Sequence, residues 1–354
     1  MGQNSWTRTA GDLVSATLDN SRQEVVDNIF RRSAYLAKMM IAGRKKSDSG
    51  GATIVRSVEY GTNTTVTSFQ GFDVVPIVPQ ETVTDTQWTW KEIAGNWVVS
   101  RREERLNTGK SKIRDLADQK KRSLERSFNQ KLNEMLLNPA SFAAPDNGGK
   151  ALTPLSELVS LAAHSVGGIT ESSNSWWANQ RLRSIQTGAA TQNGSTVNKE
   201  LRSFYNTCGQ NNDGFPNFGI WTKLAAECYE SILDTKVRYG STEMATLGFN
   251  TVMLKGMEVA WDQIVPGTSD NGAALVAYNG SPDEECCYFL NTDYLYLIVD
   301  SGTDFVFTPP VKHEPNGQYA TSGSLLFMGE HICTNRRAQG LYYGFETVGV
   351  VLAS

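Results

Sequence analysis

The sequence lacks the features that would place it in a membrane, on nucleic acid or outside the cell. No apolar run approaches the roughly 20 residues of a membrane-spanning helix, and Met1 to Gly11 is polar, without the hydrophobic core of a secretion signal. The formal net charge is −4, whereas nucleic-acid-binding proteins are strongly basic. The five cysteines are an odd number without framework spacing, which is typical of reduced thiols. These absences favour a soluble protein made and kept in a cytosol.

Motifs for catalysis are absent as well. There is no Gly-rich phosphate-binding loop, no Gly-x-Ser-x-Gly elbow and no His-Glu-x-x-His run. His331 and Cys333 alternate on a predicted strand, and a metal could join them with Cys286 or Cys287, but structural zinc sites usually show paired ligand spacings. The pattern therefore favours a buried thiol beside a surface imidazole. The sequence predicts no catalytic residue, no metal site and no cofactor.

A long amphipathic helix is the clearest pattern in the chain, and the spacing predicts it over Thr108 to Asn138. Asn138 ends the helix because a residue before a proline is pushed out of the α region. The helix is about 40 Å long, and Lys120 and Lys131 interrupt the heptad repeat of a coiled coil. A spine laid across a domain is therefore favoured over a coiled-coil arm. The residues predicted to form its core face are Ile113, Leu116, Leu124, Phe128 and Leu132.

Before the spine, the pattern predicts an N-terminal arm with an amphipathic helix. Ser21 to Glu24 is a capping box that starts this helix, and Gly43 offers its end after Ala42. The face predicted to pack consists of Val25, Ile29, Ser33, Leu36 and Met40. Arg44, Lys45 and Lys46 then lead into a flexible joint without core residues, Ser47 to Gly51, which ends in the pair Gly50-Gly51.

From Ala52 to Arg102 the pattern alternates with period two, which predicts a two-stranded β ribbon whose first strand runs to Phe69. Its faces are rich in Thr, Ser, Gln, Asp and Glu, and a lone ribbon is only marginally stable in water. The ribbon therefore has to lean on something else, either its own domain or a neighbouring chain. We expect the neighbour, with Trp88, Trp90 and Trp97 lying on it.

Beyond the spine, helices are followed by short strands. The spacing predicts a short helix from Thr153, a second over Val197 to Cys208 and a third over Ile220 to Arg238. Strands are predicted over 249–254, 258–261, 288–290, 295–299, 305–308, 325–328, 332–335 and 341–345. Helices and strands segregate instead of alternating, so an α+β class is favoured over a doubly wound sheet.

This order of parts resembles the major capsid protein of a tailed bacteriophage with the Hong Kong 97-like fold. The succession is an N-terminal arm, a Gly-Gly joint, an extended β-hairpin loop, a long spine helix, and then mixed helices and strands. The segments most similar to family sequence are Thr86 to Trp90, Ser175 to Trp177, Phe289 to Leu295 and Asn335 to Gly340. Each motif is weak alone, and their order carries the resemblance.

The resemblance implies a division of the chain into named parts. These are an N-terminal arm with its amphipathic helix (1–51), an extended β-hairpin loop (52–107), a peripheral domain that includes the spine helix at 108–138 (108–217), an axial domain (218–318) and a C-terminal return to the peripheral domain (319–354). The extended loop is expected to lie over an adjacent subunit. Its expected inter-subunit contacts are Trp88, Trp90, Lys91 and Trp97.

The resemblance also implies a function without catalysis. Copies of the chain would form the pentamers and hexamers of an icosahedral shell that packages double-stranded DNA without sequence-specific binding, and the protein would be part of the virion, assembled in the bacterial host cytoplasm. Its partners would be itself, a portal, and decoration or cement proteins. Some relatives carry a cleavable scaffolding extension of about a hundred residues, too long to precede Ser21, so a separate scaffolding protein or none is expected. Some relatives weld a loop lysine to an asparagine of a neighbour, and Lys91 and Asn335 are the conceivable pair here.

Two other interpretations remain open at the level of sequence. An encapsulin-like compartment shell shares the fold but packages enzymes instead of DNA. An α+β enzyme or binding module is disfavoured by the missing motifs. Under the capsid interpretation, removal of Ala52 to Arg102 is expected to leave a soluble subunit that cannot close shells.

Overall fold

A computed structural model of the chain describes residues 33–106, 110–137, 149–184, 194–210, 214–233, 244, 251–262, 264–265, 285–312 and 319–345; for 104–106, 110–117, 194–195 and 345 it describes the backbone only. The helices are α1 (Ala34–Ile41), α2 (Arg101–Leu106), α3 (Lys110–Leu137), α4 (Leu155–Leu158), α5 (Gly194–Gly209) and α6 (Lys223–Leu233), with 3-10 turns at Ser175–Trp177 and Thr292–Tyr294. The strands are β1 (Lys45–Asp48), β2 (Thr53–Glu59), β3 (Val83–Thr89), β4 (Lys91–Ser100), β5 (Ser165–Val166), β6 (Ile169–Thr170), β7 (Gln180–Arg183), β8 (Phe218–Trp221), β9 (Val252–Leu254), β10 (Met257–Trp261), β11 (Glu285–Leu290), β12 (Leu295–Asp300), β13 (Val306–Phe307), β14 (Val311–Lys312), β15 (Ala320–Cys333) and β16 (Gly340–Phe345).

The first sheet is built around the long strand β15. Along one edge, β4 pairs with it antiparallel, from Gly329 opposite Lys91 to Ala320 opposite Ser100. Along the other edge lie β12, β13 and β14, and β1 extends the sheet by pairing in parallel with β12. The two segments predicted at 325–328 and 332–335 are therefore parts of one strand.

The spine helix α3 covers one face of this sheet and runs nearly over its predicted range. Phe128 and Leu132 are buried among aliphatic and aromatic residues of the sheet, and Leu124 packs against the same cluster. The helix approaches β4 so closely that a Cβ added at Gly95 would lie 2.6 Å from Leu124 Cδ1. Glycine at this position lets the helix and the strand pack in contact.

The second sheet has the strand order β7-β16-β11-β8-β10-β9. Every residue of β11 is buried, as expected of a strand covered on both faces. Helices α5 and α6 pack on one face, where Phe204 meets Phe289 edge to face at 5.1 Å and Trp221 meets Tyr229 at 5.3 Å. The other face contributes to the core cluster that also contains residues of the first sheet and of α1.

The N-terminal part differs from the expectation in two ways. Ser33 is extended (φ −108°, ψ 126°) and caps α1, so no continuous helix passes through it; the predicted start at Ser21 lies outside the described residues. Of the predicted face, Leu36 is buried but Met40 is exposed. Ser47 and Asp48, expected to belong to the flexible joint, instead end the strand Lys45–Asp48, which pairs with β12.

Other predicted elements are shorter or begin elsewhere. The helix from Thr153 is a single turn, and the stretch from Ile220 begins as the buried strand β8 before α6 starts at Lys223. A run of buried apolar residues does not by itself distinguish a strand from a helix. The sheets also cross the expected domain boundaries, because β12 to β14 (295–312) pair with β15 while β16 joins the second sheet. The peripheral and axial domains remain predictions.

Candidate functional site

A two-stranded arm, residues 53–89, extends from the body and carries the most unusual surface of the described chain. Its strands β2 and β3 pair antiparallel, with Thr53 opposite Thr89 and Glu59 opposite Val83. Between them lies a segment without helix or strand, residues 60–82, which we call the tip. The strand predicted to continue to Phe69 is therefore wrong, because pairing ends at Glu59.

The tip is held in shape by its own local hydrogen bonds. The backbone N–H groups of Tyr60 and Gly61 donate to the Thr82 carbonyl at 2.9 and 3.3 Å, which closes its neck. At the far end, the Asp73 carboxylate accepts from the Gln70 N–H at 3.0 Å across a turn. Gly71 has φ +59° in this turn, a conformation that glycine adopts without steric cost. The turn presents the residue beside it, Phe72, to solvent.

Large apolar side chains cover the tip, and nothing in the described chain covers them. Phe72 is 105% exposed and Ile77 is 98% exposed, and the other exposed apolar residues are Val66, Phe69, Val74, Val75 and Val78. Soluble proteins rarely expose contiguous apolar patches of this kind unless a partner binds there. Sequence analysis missed these residues, although aliphatic pairs on both sides of Pro76 were a signal, because such a run has no alternating face to pack within a sheet.

Beyond Arg56, the outer part of the arm is also one-sided in charge. From Ser57 to Trp90 the sequence contains no lysine, arginine or histidine, and its acidic residues are Glu59, Asp73, Glu81 and Asp85. Like charges on two tips repel each other, so the tip disfavours pairing with another tip and favours a neutral or basic partner surface.

The base of the arm, in contrast, is anchored in its own chain. Ile54 and Trp88 belong to the main core cluster, and Val58 packs with Ile169 and Trp177 in a smaller one. The turn between β5 and β6 docks on β3, where the Gln87 N–H donates to the carbonyl of Gly167 at 2.9 Å. The ribbon thus leans partly on its own domain, which was the less favoured alternative.

The residues predicted to contact a neighbour lie at this base. Trp88 and Trp97 are buried within the chain, so they have almost no surface left for another subunit. Trp90 is partly buried, and its indole N–H donates to the Gly51 carbonyl at 3.0 Å. The Lys91 ammonium donates to the Gly149 carbonyl. Trp88 and Trp97 were placed on a neighbour because an alternating pattern indicates two faces without indicating which surface covers each face, whereas contacts of Trp90 and Lys91 with a neighbour stay a prediction.

The predicted spine residues fall into two groups. Leu124, Phe128 and Leu132 face the first sheet. Ile113 and Leu116 lie in α3, but their side chains are outside the described residues. No statement about their packing follows.

A buried arginine, Arg336, binds the residues on which the base of the arm packs. Sequence analysis did not identify it as a functional residue. Arg336 is fully buried; it donates to Glu171 Oε2 at 3.0 Å and to the Trp177 carbonyl at 3.3 Å. Its Nε donates to the Leu158 carbonyl at 2.8 Å, and Arg181 is a second partner of Glu171 at 2.6 Å. Burial lowers the pKa of Arg336, whereas the charge of Glu171 opposes this shift. No sequence pattern marks such a residue, because its partners are far away in the chain.

A second buried polar cluster lies on β15 near Lys91. The Tyr35 hydroxyl donates to His331 Nε2 at 2.7 Å, and His331 Nδ1 lies 3.1 Å from the Thr153 carbonyl, so the ring is neutral with its proton on Nδ1. Burial lowers the pKa of His331 to about 4, and burial raises the pKa of Glu330 to about 7. The imidazole expected at the surface is therefore buried and serves to dock α1.

The described residues offer little for chemistry. Among them, no group of three or more His, Cys, Asp or Glu is placed to hold a metal ion. Burial raises the pKa of Cys333 to about 12 and also raises the pKa of Cys208, Cys286 and Cys287, so these thiols are protonated and unreactive. Of the described helices, none is both long enough and apolar enough to cross a membrane.

Comparison with known proteins identifies the fold. No protein-family model and no curated protein matches the sequence. Among solved structures, the cyanophage A-1(L) capsid asymmetric unit matches with a TM-score of 0.61 at 13% identity, over 85% of this chain and 89% of that chain. The capsid of a native GTA particle matches with a TM-score of 0.51 at 11% identity, over 86% and 89%. The holo-SrpI encapsulin complex from Synechococcus elongatus PCC 7942 matches with a TM-score of 0.51 at 9% identity, over 87% and 88%.

These similarities extend over most of the chain, so it has the mixed α+β fold of phage capsid proteins, as the resemblance implied. The low identities mean that fold, and not sequence, is what is shared. The division into an N-terminal arm, a peripheral domain and an axial domain stays a prediction.

Proposed function

We propose that this chain is the major capsid protein of a tailed bacteriophage, copies of which assemble into the pentamers and hexamers of an icosahedral shell around double-stranded DNA. The observation that carries this proposal is the exposed apolar tip on a capsid-type fold. An apolar surface that its own chain leaves in water gains free energy when another surface buries it. In a closed shell, a neighbouring copy of the chain supplies the surface that buries each tip.

The strength of such a shell comes from repetition. Each arm contributes a modest contact, and a subunit held by several neighbours at once leaves much more slowly than one held by a single contact. The net charge of the subunit is also compatible with enclosed DNA. A mildly acidic subunit does not bind DNA tightly to the inner surface of the shell, as a strongly basic subunit would. DNA is enclosed without sequence-specific binding, and the subunit catalyses no reaction.

The parts of the fold take on roles within this proposal. The peripheral domain, 108–217 with the return 319–354, contains α3, α5 and β15, and the axial domain, 218–318, contains α6 and β8 to β14 and points to the capsomer centre. The partners are other copies of the chain and a portal. The protein is a virion component that assembles in the bacterial host cytoplasm.

The test is to remove the tip alone. Deleting Ala52 to Arg102, as the sequence suggested, also removes β4, which pairs with β15 at ten positions, so the first sheet would lose the whole strand along one edge of β15. Replacing residues 61–81 by Asn-Gly, a favoured two-residue hairpin turn, keeps Tyr60 opposite Thr82 and so preserves the register of β2 and β3, while β4 is untouched. We expect this variant to melt like the wild type by circular dichroism but to give no closed particles in negative-stain electron microscopy. Gln70→Ser, a polar change in the tip, is the control, and closed particles without the tip would overturn the proposal.

A second candidate is an encapsulin-like compartment shell, which the match to an encapsulin favours. The contents of purified particles separate the two functions. Nuclease-protected double-stranded DNA supports the capsid, whereas a co-purifying enzyme without DNA supports the compartment.

A further inference from the structure

The arm leaves the body over an aromatic stack. Tyr60 is the first residue after β2, and its ring stacks on Trp176 of the body with centroids 4.9 Å apart and planes 22° apart. In the hairpin, Tyr60 is also the residue whose N–H closes the neck of the tip by donating to Thr82. The stack therefore joins the body to the point where strand pairing stops and the tip begins.

Open space lies on both sides of this stack. One cleft of about 350 Å³ separates the arm at Glu59 from the body at Arg337, and Trp176 lines it. A second cleft of about 400 Å³ separates the arm at Asp85 from the body at Asn174, and Trp176 lines it as well. The Trp176 side chain therefore separates two clefts between arm and body. Without this side chain, the arm has room to tilt into either cleft.

The position of the Trp176 side chain is fixed through its neighbour Trp177. Trp176 packs against Trp177 with ring centroids 5.6 Å apart. Trp177 is buried, its indole N–H donates to the Val166 carbonyl at 3.1 Å, and its own carbonyl accepts from Arg336. A side chain fixed by packing and by hydrogen bonds transmits its position to whatever rests on it.

Small changes at this point are amplified along the arm. The extended chain from Tyr60 to Phe72 reaches at most about 40 Å, so a tilt of about 10° at the stack displaces the apex by up to roughly 7 Å. A shift of that size exceeds the contact distance between packed side chains, so it changes which residues the tip meets.

We infer that Tyr60 and Trp176 are a positioning pair that sets the angle between arm and body, and thereby the curvature and diameter of the shell. This inference rests on the proposed function, because an arm angle acquires meaning only where the tip meets another copy. Neither residue touches the partner in this role; both act through the direction they impose on the tip.

The test compares truncations with conservative replacements. Trp176→Ala and Tyr60→Ala remove the stack, whereas Trp176→Phe and Tyr60→Phe keep an aromatic ring on each side. Trp261→Ala, which removes a half-exposed tryptophan of the second sheet, is the control. In cryo-electron microscopy of assembled particles, we expect the alanine variants to broaden the distribution of diameters at least twofold, and the phenylalanine and control variants to keep the wild-type distribution.

Amide hydrogen exchange of the unassembled subunit gives a readout that does not need a shell. Without the stack, the Tyr60 and Gly61 amides should exchange at least tenfold faster, while the Gln87 amide, which is bonded to Gly167, should keep its rate. If Trp176→Ala does not fold, Tyr60→Ala alone is used for the test, because the Tyr60 ring is partly exposed and belongs to no buried core cluster. Wild-type diameters and exchange rates in Tyr60→Ala would overturn the positioning pair. Failure of the wild type to form any particle would instead overturn the proposed function, and exchange would still decide whether the stack holds the arm.

Discussion

Two segments only a few residues apart, the tip (60–82) and the strand β4 (91–100), behave in opposite ways, although the sequence placed them in one extended loop. In β4, Trp97 and Val99 alternate with exposed residues and are buried on the face toward α3. In the tip, the aliphatic residues stand in adjacent pairs on both sides of Pro76, which has no N–H for a ladder. Alternation lets one segment share its apolar side with the core, and its absence leaves the other in water. On this contrast, β4 contributes to the stability of the subunit, whereas the tip leaves its apolar surface available for the partner contact proposed above.

Matched aromatic truncations test this contrast most strongly. Trp97→Ala should lower the free energy of unfolding by about 3 to 5 kcal/mol, because it leaves a cavity in the core. The indole lies over its register partner, where a Cβ added at Gly323 would be 2.8 Å from Trp97 Cε2. Phe72→Ala should change the same quantity by less than about 0.5 kcal/mol, since it removes no contact within the subunit. Urea denaturation of the unassembled subunit measures both.

Phe72→Ala, which hardly changes the stability of the subunit, should instead weaken the assembly of subunits into particles. A buried aromatic anchor at an interface is worth about 2 kcal/mol or more, so Phe72→Ala should raise the protein concentration needed for particle formation at least about tenfold. Light scattering against concentration measures this value. A Phe72→Ala protein that assembles like the wild type would remove the tip from the contact.

A pH titration sharpens the contrast, because the body contains buried titratable groups. Burial raises the pKa of Glu330 from 4.5 to about 7, so the folded state binds its proton more tightly than the unfolded state. This contribution is fully present below about pH 4.5 and is lost as the pH rises through 7. The wild type should therefore lose roughly 2 kcal/mol relative to Glu330→Gln between about pH 5 and 8.

The neighbouring histidine acts in the opposite direction but cancels in this comparison. The pKa of His331 is lowered from 6.5 to about 4, so its contribution is present above pH 6.5 and is lost as the pH falls toward 4. Both proteins retain His331, and the difference between them isolates Glu330. Gln70→Ser, an uncharged change in the exposed tip, should follow the wild type at every pH. A constant difference between Glu330→Gln and the wild type would show that Glu330 does not titrate in this range.

The smallest effect concerns the junction between the two regions. Gly167 and Gly168 have φ +60° and +79°, so alanine costs about 1 kcal/mol of backbone strain at either position. A Cβ at Gly167 would also lie 2.9 Å from Trp88 Cζ2, whereas Gly168 faces open space. Gly167→Ala should therefore cost about 1 kcal/mol more than Gly168→Ala in urea denaturation. Equal losses would mean that the turn does not press on the base of the arm.

Sequence analysis succeeded where a local pattern is sufficient. The spine helix was predicted over 108–138 and is observed over Lys110–Leu137, because its apolar stripe and the following proline are local signals. The helix over Val197 to Cys208 is observed as Gly194–Gly209 for the same reason. The order of elements was enough to suggest the capsid-type fold, which the structural comparisons confirm.

What failed were the assignments that depend on distant partners. The contacts expected from Trp88 and Trp97 were placed on a neighbour, because a period-two pattern does not say which surface covers each face. The buried position of Arg336 could not be read from its flanks, since its partners come from the segment 158–181. The same holds for the split of β12 and β16 between two sheets.

By itself, then, the sequence determined the features whose causes lie within a few residues: the long helix, the strand alternation, the acidic charge of the tip and the lack of catalytic motifs. The tertiary structure alone decided which half of the ribbon joins the body and which remains exposed. Hydrogen-bond pairing of β4 with β15 brings together residues more than two hundred positions apart, and no local spacing encodes that choice.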